Sequence, residues 1–247
     1  MSFANLTAVT MAIGLAGSAA FAGAVDLTTW TGAEGPGNWT IGGDNKSVFQ
    51  SLNNDPTVFF NGVNSQGKAL KGEITVETAG DDDFIGFVLG YDAGDLTSAS
   101  ADYILIDWKK RDQSYYGGMG AAGLAISRVE GAIGLSDAWR HIGNVTELQR
   151  ATNLGSTGWV TNQTYSFELT FTAGLIEVFV DGVKELSVNG TFEDGSFGFY
   201  NFSQAGVRYA GLEEDILPPD VPLPASLPLL LGAFGGLGLL RRKRRQV

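Results

Sequence analysis

Asp81, Asp82 and Asp83 stand side by side and run straight into an apolar segment, Phe84 to Tyr91. Three adjacent carboxylates repel one another. Holding them at the mouth of a buried strand costs free energy unless a cation or a set of backbone N–H groups offsets the charge. The donors are hard oxygens with no His or Cys beside them, and that donor set points to calcium. The other reading of the same run is a solvated acidic turn ahead of a strand.

Other chemistries have less material. The chain has no Cys, which excludes disulfides and thiolate metal sites, and a single His, His141. No G-x-S-x-G is present, and His141 has no evident orienting acid beside it, so its expected place is a loop or core position next to Trp139. Glycoside hydrolysis needs two carboxylates across a cleft, about 5–5.5 Å apart for retention or about 6.5–9.5 Å for inversion. Asp102 and Asp107 are the best pair, but their odd spacing puts them on opposite faces of a strand, and Glu168 and Glu177 stand on separate strands. The chain is therefore not expected to be an enzyme. A glycan-binding lectin module or a polysaccharide-active enzyme of the extracellular matrix remains the alternative to an adhesion or matrix function. The aromatic residues Trp108, Tyr115, Tyr116, Trp139 and Trp159 lie near loops and are available as sugar platforms, although most Trp side chains serve the core.

The elements that would position these groups are strands. Of the 247 residues, 44% are hydrophobic and 17% charged, with 35 Gly and 7 Pro. Short apolar or alternating runs recur between turn residues. They include Thr57 to Phe60, Leu70 to Thr78, Phe84 to Tyr91, Tyr103 to Lys110, Ala121 to Val129 and Tyr165 to Phe171. Asp181-Gly182 between two apolar runs is a strong hairpin signal. About eleven such strands predict an all-β, antiparallel two-sheet sandwich. Val145 to Thr152 lacks alternation and is read as a helical turn or two capped by Asn144, and Gly117 to Gly120 as a loop.

Charge is unevenly placed. Five of the 16 basic residues lie in Arg241 to Arg245, which leaves 11 against 27 acidic residues, a net of −16, in the rest. Such a surface repels nucleic acid and attracts divalent cations. Residues 1–24 read as a signal peptide, an apolar stretch ending in the small-x-small triplets Ala20-Phe21-Ala22 and Ala22-Gly23-Ala24, with no Lys or Arg ahead of it. Residues 25–217 form the expected sandwich. Residues 218–247 begin with a stiff Pro218-Pro219 linker. Val221-Pro222-Leu223-Pro224-Ala225 follows, then an apolar run from Leu227 to Leu240 and the basic end. This tripartite end resembles the VPLPA variant of the bacterial PEP-CTERM sorting signals. The resemblance implies a short apolar C-terminal sorting helix and a Gram-negative host. It also implies transient inner-membrane anchoring, recognition by a membrane protease of the exosortase type, and an extracellular or cell-surface destination.

From Asn53 onward the chain resembles the thrombospondin C-terminal domain family. The matching pieces are Asn54-Asp55-Pro56, Phe60-Asn61-Gly62, the Gly72 to Val76 strand, and Asp81-Asp82-Asp83-Phe84 with Gly86-Phe87 and Gly90-Tyr91. Further along stand Tyr103 to Lys109 ending in Trp108-Lys109, Trp139-Arg140-His141 with Gly143-Asn144, Gly158-Trp159, and Phe202-Ser203-Gln204. They span roughly Trp39 to Leu212. The resemblance implies a legume-lectin-like β-sandwich that binds calcium and acts in adhesion. It places calcium ligands at Asp81, Asp82 and Asp83, and with them Asn54 and Asp55. The partner it implies is an extracellular polysaccharide or a surface protein. Asp107 departs from the family, which carries an apolar residue there.

Overall fold

The computed structural model describes residues 24–30 and 32–217. The signal peptide and the sorting tail lie outside them, apart from Ala24, which makes a single bridge to Glu213. No helix among the described residues is long and apolar enough to cross a membrane.

Two seven-stranded antiparallel sheets make up the described fold. The first runs in the order β1 (Gly32–Glu34), β4 (Thr57–Phe60), β15 (Ser196–Phe202), β6 (Phe84–Tyr91), β7 (Asp102–Lys109), β10 (Gly123–Glu130), β11 (Val145–Arg150). The second runs β14 (Val183–Asn189), β13 (Leu175–Val180), β12 (Thr164–Phe171), β5 (Lys68–Val76), β16 (Val207–Ile216), β3 (Ser47–Gln50), β2 (Trp39–Ile41). A small hairpin, β8 (Gln113–Tyr115) and β9 (Gly118–Gly120), and a short helix, α1 (Leu135–Arg140), cover part of the first sheet. The expected antiparallel sandwich is the observed one.

Strand β6 explains why the segment after the acidic run is apolar at every position. All eight of its residues are buried. Ile85, Phe87 and Leu89 face the core between the sheets, whereas Phe84, Val88 and Tyr91 face a second apolar cluster on the other side of the first sheet. Trp139 of α1 belongs to that cluster, and Tyr116, Ile133 and Leu135 pack against it. A strand covered on both faces shows a continuous hydrophobic run in place of alternation. Strand β12 shows the opposite pattern. Tyr165, Phe167, Leu169 and Phe171 enter the core while Thr164, Ser166 and Glu168 stay exposed.

Two local expectations are corrected. The helical turn expected within Val145 to Thr152 is strand β11, an edge strand paired to β10 through a bulge between Ile126 and Ser127. Its burial comes from one residue, Val145, so there is no alternation to read and the backbone ladder to β10 decides the conformation. The helix lies earlier, at Leu135–Arg140. It starts at Gly134 without a side-chain cap and is held by the burial of Ala138 and Trp139. The loop expected at Gly117 to Gly120 contributes strand β9.

Candidate calcium and adhesion site

The acidic run lies in the segment that carries the chain from β5 in the second sheet to β6 in the first. This crossover is tied to the segment between β15 and β16 at several points. Glu77 N–H donates to Gly206 O at 2.7 Å, Thr78 Oγ1 to Ala205 O at 3.0 Å, and Asp83 N–H to Gln204 Oε1 at 3.0 Å. Ser203 takes a left-handed conformation, φ 55°, and its N–H donates to Asn54 O at 2.7 Å. Phe202-Ser203-Gln204 therefore positions both the acidic run and the Asn53 to Asp55 turn. Gln204, 121 residues away in the chain, holds the backbone of Asp83.

Each carboxylate of the triplet has its own environment. Asp83 is buried and pairs with Lys109 Nζ, which has no exposed surface. The same ammonium donates to Asp82 O and to Gln113 Oε1, both at 3.2 Å, and lies 3.6 Å from the Asp82 carboxylate. It also sits over the rings of Trp139, 4.4 Å from the centroid, and Phe84, 5.2 Å away. Burial pushes the Asp83 carboxyl up to about 6, against the pull of Lys109, and nearby Asp81 pushes it the same way. Asp82 is half-buried and also meets Arg111 Nε at 3.0 Å. Asp81 accepts from the Asn53 amide and from its neighbour's N–H at 3.0 Å, and has no cationic partner among the described residues.

Ligand atoms from all three carboxylates lie within 4.8 Å of one another. Hard oxygens at that separation suit calcium. Asp83 is committed to the buried Lys109 ammonium and Asp82 is shared with the exposed Arg111, so Asp81 is the carboxylate most open to a metal, with Asp82 adjacent if calcium displaces Arg111. Asn54 and Asp55 are placed differently. Asn54 Oδ1 accepts from Asp55 N–H at 2.9 Å, and Asp55 is exposed on a cleft of about 430 Å³ that it lines with Glu34 and Leu135. The sequence reading missed Lys109, Asn53 and Gln113. Only the Trp-Lys ending of the β7 segment hinted at Lys109.

His141 forms a second buried charged group. It caps the C-terminus of α1 in a left-handed conformation, φ 51°. Its Nε2 lies 3.0 Å from Asp107 Oδ2 and its Nδ1 3.0 Å from Glu147 Oε2, and Arg150 meets Glu147 at 2.9 Å. Burial alone would lower the imidazole pKa, but the two carboxylates outweigh it and hold it at about 9. The acids absent beside His141 in sequence arrive from β7 and β11. With both ring nitrogens bound to carboxylates, none is free to act as a general base. Asp102 pairs with Arg128 instead, its Oδ1 2.7 Å from Nε, so Asp102 and Asp107 do not converge on one cleft.

A family model described as "Thrombospondin C-terminal region" matches residues 34–216. Among curated proteins, chicken (Gallus gallus) thrombospondin-2 is 29% identical over 195 residues, covering 71% of this chain and 16% of that protein. Bovine (Bos taurus) cartilage oligomeric matrix protein is 25% identical over 205 residues, covering 74% of this chain and 26% of that protein. The chain thus spans about a quarter or less of these relatives. Among solved structures, carbohydrate binding module CBM66 from Bacillus subtilis aligns with a TM-score of 0.53 at 10% identity, covering 75% of this chain and 96% of its own. The exoplasmic/lumenal domain of VIP36, in a Ca2+/Man3GlcNAc-bound form, aligns with a TM-score of 0.53 at 12% identity, covering 83% and 92%. At those identities the two structures establish a shared lectin-type sandwich and nothing further.

Proposed function

Since the chain belongs to the thrombospondin C-terminal region family, we propose that it is a calcium-binding, lectin-like adhesion or matrix module that works outside the cytoplasm. The observation that carries the reading is the Asp81 carboxylate. It sits within 4.8 Å of two other carboxylates, and the two nearby cations are spent on Asp82 and Asp83. Calcium held by Asp81 and Asp82 would neutralise that charge and fix the crossover from β5 to β6. The module would then present a rigid end of the sandwich to an extracellular polysaccharide or a surface protein. The hairpin of β8 and β9 contributes exposed Tyr115 and Met119 on the same side of the first sheet as Trp139. The names of the relatives, which include a matrix protein, support an extracellular role. The signal peptide and the VPLPA-type tail, with its exosortase-type protease, belong to the same proposal. No catalytic function is proposed, because the only imidazole is locked between two carboxylates.

Thermal unfolding of the full chain in excess calcium and in EDTA tests the metal. A ligand at 100 times its dissociation constant adds about 2.7 kcal/mol, which for a domain of this size is a rise of about 5–10 °C. Asp82→Ala should remove most of that rise while changing the EDTA transition little, since its ion pair is to the exposed Arg111 and such surface pairs contribute about 1 kcal/mol or less. An equal melting temperature with and without calcium would make the triplet a Lys109-anchored turn with no metal.

A further inference from the structure

The outer face of the second sheet carries a groove of about 460 Å³, lined mid-strand by β5, β12, β13 and β16. The strand registers set its chemistry in rows. Phe179 on β13 pairs with Glu168 on β12, Glu168 with Lys71 on β5, and Lys71 with Glu213 on β16. One line across four strands thus reads aromatic, acid, base, acid. The next row holds Ser166 on β12 opposite Glu73 on β5. Glu168, Glu73 and Ser166 are exposed, and among the described residues the side chains of Glu168 and Glu73 make no hydrogen bond or ion pair. Lys71 Nζ meets Glu213 at 3.0 Å. The register between β16 and β5 slips after Ala210. Gly211 there has φ +60° with nothing within 4 Å of where a Cβ would stand, so the rim stays low at that point.

We propose that this groove binds a segment of a neutral polysaccharide. Lys184 Nζ stands over the half-buried Phe179 ring, 5.4 Å from its centroid, and the rest of the ring's surface offers an apolar platform to the C–H face of a sugar. The carboxylates of Glu168 and Glu73 beside it accept from vicinal hydroxyls. A few polar groups converging on an apolar surface is the pattern of a ligand site. Glu73, Glu168 and Glu213 stand against Lys71, and the Lys184 ammonium over Phe179 is paired with Glu177, so the groove stays negative, which repels uronate or sulfated chains and selects neutral ones. The inference takes its ligand class from the lectin-like reading above. It places the ligand on side chains other than Asp81, Asp82 and Asp83, so the two can fail separately.

Native electrophoresis of the full chain through gels containing a neutral glucan, a mannan, a xylan or alginate decides the matter, each run with calcium and with EDTA. Retardation is expected in at least one neutral gel, with calcium and with EDTA alike, and none in alginate. Phe179→Ala and Glu168→Gln should each weaken the retention constant about tenfold or more, the loss of one contact of roughly 1.4 kcal/mol. Thr170→Ala, on the same strand but outside the groove, should migrate like the parent. The two groove variants alter outward-facing side chains, and an unchanged circular dichroism spectrum will confirm that they fold. The proposal is overturned if no neutral gel retards the protein, if alginate retards it as strongly, or if the groove variants keep full retention. Retention abolished by EDTA yet untouched by those variants would assign binding to the Asp81 to Asp83 end and also overturn it.

Discussion

Lys109 is the residue on which the acidic end of the sandwich turns. Its ammonium is wholly buried, paired with Asp83 and enclosed by two aromatic rings. A buried ion pair adds little net stability, but removing one partner strands the other charge away from water, at a cost of about 3–5 kcal/mol. Lys109→Met should therefore lower the unfolding free energy by that amount, read as a lower urea midpoint, and adding Asp83→Asn to it should recover much of the loss. If Lys109→Met unfolds at the wild-type urea concentration, Asp83 is neutral in the native state and the pairing is not structural. The triplet itself was legible in the sequence, because a run of like charges before an apolar strand demands compensation. The compensating residue was not. Lys109 lies 26 residues beyond Asp83 and reaches it only because β6 and β7 pair with Phe84 opposite Lys109.

Elements, more than residues, explain the second buried charge. His141 ends α1, Asp107 lies inside β7, and Glu147 lies on the edge strand β11, so one imidazole fastens the helix and the edge strand to the first sheet. Its folded pKa of about 9 stands above the unfolded value near 6.5. The sign follows from linkage: the stabilisation is fully present below about pH 6.5 and is lost as pH rises through about 9. The shift corresponds to about 3 kcal/mol at most. Urea midpoints measured from pH 6 to pH 9.5 should fall for the wild type and run flatter for His141→Gln; parallel profiles would show that the histidine is not linked to folding. This arrangement was hidden from sequence for a physical reason. Asp107 is an acid in an apolar strand, visible as an anomaly, but its partner depends on where α1 ends. Both α1 and β11 are short elements whose conformations are set by tertiary contact, Trp139 burial in one case and the ladder to β10 in the other. The long strands were legible because their periodicity is their own: β12 alternates, and β6 is continuous because Trp139 and its neighbours cover its second face.

At the scale of the whole molecule the two sheets share one apolar interior. Phe87 of β6 and Phe167 of β12 meet across it at 4.4 Å between ring centroids, and Phe199 of β15 stacks on Tyr209 of β16 at 4.3 Å. Tyr209 donates to Tyr200 O at 2.8 Å and accepts from Gly86 N–H at 3.2 Å, so a polar tie runs between the sheets through the core. That a sandwich would form was readable from strand count and turn chemistry. The strand order was not, since β4, β15 and β6 are neighbours in space but start at residues 57, 196 and 84. Such long-range pairing makes the largest apolar cluster common to both sheets, and cooperativity follows. Phe167→Ala removes a ring from the second sheet that fills space against the first, at about 3–5 kcal/mol. For a domain of this size that is a fall of about 6–20 °C in melting temperature. The fall should be the same whether followed by far-ultraviolet circular dichroism, which reports strands, or by near-ultraviolet dichroism, which reports the aromatic core of both sheets. Two separated transitions in the variant would mean that the first sheet, with its own cluster under Trp139, holds together after the second has opened. The triplet's crossover would then be the hinge between two folding units.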